Sequence, residues 1–296
     1  MMQKNTTQFG LTLAIGGTAL FALKSIFIKL AYAYGVDTTT LLTLRMLIAL
    51  PFYAGMLLWL LRKPAVVKPL PPELLMLTGL GFMGYYLASW LDMEGLQYIS
   101  AQLERLTLYT YPIMTTLLGW LFLREKITWQ IVSALVLTYG GILLLYAHEA
   151  KWNTNNAMLG VTLVTLAALT FAFYVVFSKR LIGKLGSLLF TSIIMLVSTG
   201  FIFVQFLLTH ALADLGKLPL PVWGYAVLLA IFSTLLPSFM VSEAIHRIGA
   251  AKTSIVGTVG PVLTILLAVW LLGEPFGWFH LAGMALVMGG VSLLRK

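Results

Sequence analysis

Long apolar runs separated by short polar breaks fill this chain from Gly10 to its end. Ten of the runs approach the roughly 20 residues that a helix needs to cross a bilayer. They cover residues 10–32, 40–61, 72–92, 100–122, 127–146, 157–178, 187–209, 221–240, 249–272 and 277–294. The connections between them leave no room for a folded domain outside the membrane. RKPAVVKPLPPE at 62–73 reads as a Pro-rich loop, and HEAKWNTNNA at 148–157 as a polar linker. The first run follows Lys4 and contains AYA at 31–33, as a cleaved signal would. Lys24 and Lys29 interrupt it, however, and nine more runs follow, so it reads as an uncleaved first helix. The pattern predicts an all-α membrane protein with ten transmembrane helices.

Composition agrees with lipid as the solvent. Hydrophobic residues are 60% of the 296 and charged residues only 10%, against about 25% charged in ordinary soluble domains. The absence of cysteine removes disulfides, thiolate nucleophiles and Cys-based metal sites. The net charge of +9 is a topology signal rather than a nucleic-acid signal. With the N-terminus cytoplasmic, thirteen of the nineteen Lys and Arg fall on the inner side and three on the outer, with three inside spans. Basic loops stay in the cytoplasm, so both termini are expected there.

The chain also repeats itself. At an offset of 150, GLTLAIGGTALFALKSIFIKL (10–30) meets GVTLVTLAALTFAFYVVFSKR (160–180). At an offset of 149, Glu94, Ala101, Pro112, Glu125, Gly140 and Gly141 meet Glu243, Ala250, Pro261, Glu274, Gly289 and Gly290. The halves are 10–146 and 157–294, joined by the linker 147–156. Each half has five spans. An odd number forces the second copy to start on the opposite side, so the two repeats are inverted. Inverted repeats are an architecture of secondary transporters, because exchanging the conformations of the halves moves a cavity from one side to the other.

GLQYISAQLERLTLYTYP (95–112), its counterpart AIHRIGAAKTSIVGTVGP (244–261), and the endings LFLREKITWQ (121–130) and WLLGEPFGW (270–278) resemble the EamA family of the drug/metabolite transporter superfamily. In both halves a Pro-containing span ends in Gly-Glu or Arg-Glu, and a Gly-Gly pair follows near the end of the next span. The resemblance implies a substrate cavity lined by the first four helices of each repeat, with helices five and ten peripheral. It also implies export of amino acids or other small metabolites.

Five charges sit inside or at the margin of spans: Lys24, Arg45, Asp92, Glu104 and Arg105. Each costs about 2.5–3.5 kcal/mol at the centre of a span. Tyr85, Ser89 and Asp92 share a helix face, as do Arg105, Tyr109 and Pro112. The charges are expected to form one network in the outer half, with Arg105 positioned to hold a carboxylate or phosphate. A purely structural ion-pair cluster tying helices 1–4 together is the competing reading. Lys29/Lys179, Glu94/Glu243 and Glu125/Glu274 recur in both halves and read as scaffold. Lys24 instead meets Tyr174, and Glu104 and Arg105 meet Thr253 and Ser254. Charges present in only one copy break the symmetry, as an asymmetric substrate requires. The substrate-binding or coupling candidates are therefore Lys24, Arg45, Tyr85, Ser89, Asp92, Glu104, Arg105, Tyr109 and Tyr174.

Pro112, Pro237 and Pro261 are expected to kink spans four, eight and nine. The Gly140-Gly141 and Gly289-Gly290 pairs are expected to let helices pack closely. GLGFMG (79–84) fits G-x-G-x-x-G but lacks a preceding strand, which excludes dinucleotide binding. His148, His210, His246 and His280 are scattered, and no metal site or cofactor is expected. No Walker motif is present, which argues against an ATP-driven pump. No nucleophile–base pair points to an enzyme. The expected function is a multi-pass inner-membrane transporter of a small polar or amphipathic, amino-acid-like metabolite, exporting by alternating access. Its expected partners are that small molecule and the lipid bilayer, and not nucleic acid; for the driving force, a proton carried by Glu104 or Asp92, exchange and facilitated movement all stay open. Uptake is the alternative direction, and a non-transporting scaffold the remaining alternative.

Overall fold

The computed structural model describes residues 2–63, 66–123, 128–149, 156–248, 253, 256–257 and 259–293, and everything regular among them is helical. α1 is Met2–Tyr32 and α2 is Thr38–Leu61. α3 is Pro71–Gly95, with a widened π-helical turn at Phe82–Leu87. α4 is Ala101–Leu108, α5 Tyr111–Leu123, α6 Trp129–Glu149, α7 Ala157–Leu185 and α8 Ser187–Thr209. The short α9 is Leu212–Leu215. α10 comprises Leu220–Ala230, a second π turn at Ile231–Leu235, and Leu236–Ile248. α11 is Gly260–Leu272, whose last turn is again π-helical, and α12 is Trp278–Leu293.

Seven of these helices (α1, α2, α3, α6, α7, α8 and α10) are long and apolar enough to cross a membrane. Of the other three expected spans, 277–294 is seen as the shorter apolar helix α12, and two differ from the sequence reading. The run 100–122 is not one helix but two, α4 and α5, broken at Tyr109 and Thr110. The cause is Pro112. It has no N–H and its ring collides with the carbonyl four residues earlier, so the helix stops and the proline takes the first turn of a new one. The kink expected at Pro112 is therefore a full break just before it. The run 249–272 is seen as α11, its earlier part lying largely outside the described residues. Pro261 likewise sits in the first turn of its helix. Pro237 interrupts nothing: α10 continues through it. The amide that proline lacks would have reached back to residue 233, and the π turn lies over that position.

Three helices overrun their expected limits by more than a turn. α1 begins at Met2, α10 runs to Ile248, and α7 continues to Leu185 past Lys179, Arg180 and Lys184. Basic residues are favourable at a helix C-terminus, and Lys184 also reaches Glu73 at 2.6 Å. Capping fixes the starts. Asp37 accepts the Thr40 amide at 3.0 Å, and Ser100 accepts the Leu103 amide at 3.0 Å.

Helices pair mainly across the halves. α1 packs along the second part of α10, and its repeat counterpart α7 packs along α3, the counterpart of α10. α2 packs on its own counterpart α8, α4 on α11, and α6 along α12. Exchanging the halves maps these pairs onto themselves except α4 on α11, because at the offset of 149 α11 is the equivalent of α5. Between α6 and α12 the contact is backbone-close: a Cβ on Gly290 would stand 2.8 Å from the Ala134 carbonyl, and one on Gly141 2.7 Å from that of Gly283. Small residues supply such packing where lipid offers no hydrophobic drive. Gly140 and Gly289, expected to act alongside them, face open space.

Candidate functional site

Two of the three π turns are repeat equivalents: Phe82 of the first and Ile231 of the second lie 149 residues apart. In each, an amide bonds five residues back, Ala88 to the Met83 carbonyl and Leu236 to the Ile231 carbonyl. Such turns re-aim side chains and recur at functional sites. Here one carries Gly84 and Tyr85, the other Ser233 and Thr234.

All four face the same region. A cavity of about 320 Å³ is lined by Gly84, Tyr85 and Ser233 among others, while Thr234 stands behind it holding Arg45. Four pairs of lining residues are repeat equivalents: Phe21 with Phe171, Gly84 with Ser233, Leu108 with Gly257, and Tyr111 with Gly260. The cavity thus sits where the halves meet. Its charges are not shared. Lys24, Arg45, Asp92 and Arg105 line it, and all come from the first half.

Of the residues singled out in the sequence, Lys24, Arg45, Tyr85, Ser89, Asp92, Arg105 and Tyr109 line this cavity, as does Pro261. Glu104 and Tyr174 do not. Glu104 is fully buried and accepts a hydrogen bond from Ser25 at 2.6 Å, with Asp92 beside it. Tyr174 supports the wall: its ring meets Tyr85 edge-on at 5.4 Å and stacks on Phe171 at 5.5 Å. The five charges lie within electrostatic reach of one another, Glu104 of Lys24, Asp92 and Arg105, and Arg45 of Asp92, but contact ion pairs do not join them all. Lys24 and Asp92 form an ion pair. Arg45 instead donates from Nε to the Thr234 hydroxyl at 2.9 Å, across the halves. Arg105 donates to the Phe21 carbonyl at 3.3 Å. Among the described residues neither arginine has a carboxylate within 4.0 Å, and Arg45 Nη1 is buried without a hydrogen-bond partner.

Arg105 is aimed by the start of α4. The Glu274 carboxylate comes from the second half and accepts the Ala101 amide at 2.7 Å and the Gln102 amide at 3.3 Å. The Gln102 side chain donates to the Pro275 carbonyl at 3.0 Å. Gly273, at φ 66°, makes the left-handed turn that brings Glu274 there. Glu243 pairs with Arg247 at 2.6 Å, away from the cavity.

Sequence reasoning did not single out Thr18 or Ala167 as lining residues, nor Thr234 as the partner of Arg45. The repeat held the last signal, since Thr234 lies 149 residues after Tyr85. His148 and His280, scattered in sequence, meet with ring centroids 5.2 Å apart where α6 ends and α12 begins. No group of three His, Asp or Glu side chains among the described residues is placed to hold a metal ion.

The profile of the EamA-like transporter family matches residues 8–147 and again 158–295. The chain belongs to the EamA-like transporter family. Within it, an uncharacterized transporter of Bacillus subtilis, YcbK, is 28% identical over 278 residues, covering 90% of this chain and 86% of its own. A second from the same organism, YetK, is 28% identical over 249 residues, covering 81% and 74%. A solved crystal structure at 18% identity superposes with a TM-score of 0.63 over 98% of this chain and 97% of the other, which establishes likeness of fold. The protein is thus a multi-pass membrane transporter of a small molecule rather than an enzyme.

Proposed function

We propose that this EamA-family transporter exports a small amphipathic, amino-acid-like metabolite across the inner membrane by alternating access of two inverted five-helix repeats, 10–146 and 157–294. Ten crossings with both termini in the cytoplasm complete that reading. The observation that carries it is the one-sided charge of a cavity to which both halves contribute. Its size, about 320 Å³, lies at the small end of ligand pockets. Arg45 and Arg105 stand ready for a carboxylate, since their guanidinium groups have no acidic partner among the described residues. Asp92, whose other oxygen pairs with Lys24, keeps Oδ1 buried without a hydrogen bond. Tyr85, Tyr109, Tyr111 and Phe171 supply aromatic surface for an apolar body.

For driving force we assign inward movement of a proton on the Glu104–Asp92 pair. Glu104 Oε1 and Asp92 Oδ1 are both buried without a hydrogen-bond partner. Two adjacent carboxylates share a proton because both cannot ionise cheaply at close range.

The test is tolerance of expressing cells to a panel of toxic amino-acid analogues, wild type against Arg105→Ala at matched membrane levels. Wild-type protection against one chemical class, reduced at least about tenfold in the variant as loss of a charge-assisted contact predicts, supports the reading. Equal protection by both removes Arg105 from the transport machinery, and protection by neither removes export of those compounds.

A further inference from the structure

The central cavity has a smaller neighbour. It measures about 180 Å³ and is walled by Tyr53 of α2, by Thr191 and Ser192 of α8, and by Ser238 and Phe239 of α10. No charged side chain lines it. It lies toward the membrane face at which α2 ends in Arg62 and Lys63, α7 ends in Lys179–Lys184 and α8 begins. Leu188, in the first turn of α8, is part of its wall. Two residues line both cavities: Phe21 and Tyr85.

From this arrangement we infer that Phe21 and Tyr85 form the inner gate of the transport path, and that the smaller cavity is an uncharged vestibule between that gate and the basic face. The inference rests on the reading of the larger cavity as the cargo site. Everything ionised, Lys24, Arg45, Asp92 and Arg105, lies on one side of the two rings. On the other side the polar groups are hydroxyls, those of Tyr53, Thr191, Ser192 and Ser238. A cargo carboxylate held by arginine on one side finds only neutral hydrogen-bonding groups on the other, so the vestibule passes the cargo without retaining it.

Placement explains how the rings are held. Phe21 is one turn before Lys24 on α1, and its carbonyl accepts the hydrogen bond from Arg105. Tyr85 rides on the π turn of α3, braced edge-on by Tyr174. Both supports bear on the central cavity, so cargo that draws Arg105 away from the Phe21 carbonyl acts on the gate directly. The π turn gives Tyr85 a second setting, because its widened loop can migrate along a helix by exchanging hydrogen-bond partners.

The absence of native cysteine makes the test direct. Single cysteines are placed in the central cavity, Ser89→Cys, and in the vestibule, Ser192→Cys. Membrane vesicles exposing the basic face are treated with a membrane-impermeant methanethiosulfonate, with no cargo present. Ser192→Cys is expected to react readily and Ser89→Cys at least about tenfold more slowly, equivalent to about 1.4 kcal/mol of barrier. Adding Tyr85→Ala, or separately Phe21→Ala, is expected to bring the Ser89→Cys rate to that of Ser192→Cys. Tyr85→Phe, which keeps the ring, is expected to leave it slow. The gate is overturned if Ser89→Cys reacts as fast as Ser192→Cys with both rings present, if neither alanine accelerates it, or if Ser192→Cys is unreactive from the basic face. Should the labelling follow expectation while the protein moves no cargo, the gate stands and the transport reading falls. An Arg105-dependent flux with gate-independent labelling gives the converse.

Discussion

Glu104 is the most deeply buried charge among the described residues, with one carboxylate oxygen on the Ser25 hydroxyl and the other without a partner beside Asp92. The groups facing it are Lys24 and Ser25 from α1, Asp92 from α3 and its own neighbour Arg105. Glu104→Gln keeps an oxygen for Ser25 and removes the exchangeable proton. In reconstituted vesicles, one proton exchanged per cargo makes a gradient of one pH unit worth about 1.4 kcal/mol, or about a tenfold cargo ratio. Wild type is expected to build that ratio, and Glu104→Gln to equilibrate cargo without it. A pH-driven ratio that survives in Glu104→Gln removes the proton from this site. At this scale the sequence was informative about which charges are unusual and poor about their partners. Lys24 and Asp92 could be paired by reasoning over helix faces. Arg45 with Thr234 could not, because that contact spans 189 positions and depends on how two halves dock.

Helices show the same division one level up. Apolar length alone located the long spans, because outside a closed β-barrel only a helix satisfies its own backbone in lipid. What it left out are the interruptions: the break at Tyr109–Thr110, whose cause, Pro112, was visible, and the π turns, whose cause was not. A π turn differs from an α turn by one residue of register, and α3 makes one with no proline beyond its first turn, at Pro71 and Pro72. The start of α4 shows how far an element depends on its distant partner. Its first two amides, left open by helix geometry, are closed by Glu274 from the other half. Loss of such a cap costs about 0.5–2 kcal/mol. Glu274→Ala is therefore expected to lower the melting temperature of the purified protein in detergent, and Glu274→Gln, which retains an acceptor without the charge, to fall between it and wild type. Because α4 carries Arg105, the alanine variant is also expected to transport less well. A Glu274→Ala protein as stable and as active as wild type would show that Ser100 alone suffices to cap α4.

For the whole molecule, charge and packing describe one symmetry in two ways. The pairs of α1 with α10 and α7 with α3, of α2 with α8, and of α6 with α12 map onto themselves when the halves are exchanged, while the cavity charges all belong to the first half. If the halves are inverted in the membrane, the loops must alternate in the way the basic residues do. Lys63 and Lys68, between α2 and α3, then share a face with Lys184 at the end of α7, and Lys217, between α8 and α10, lies opposite. Each juxtamembrane Lys or Arg on the anionic cytoplasmic leaflet is worth about 1 kcal/mol, so thirteen against three is a decisive bias. The measurement is labelling of intact cells with an impermeant thiol reagent, using Lys68→Cys and Lys217→Cys in the cysteine-free chain. Lys217→Cys is expected to react from outside and Lys68→Cys only after the membrane is opened. Reaction of both from outside would place an even number of crossings between them, in conflict with α3, α4/α5, α6, α7 and α8 each crossing once. Inversion of the halves would then fail, and with it the exchange of conformations on which alternating access depends.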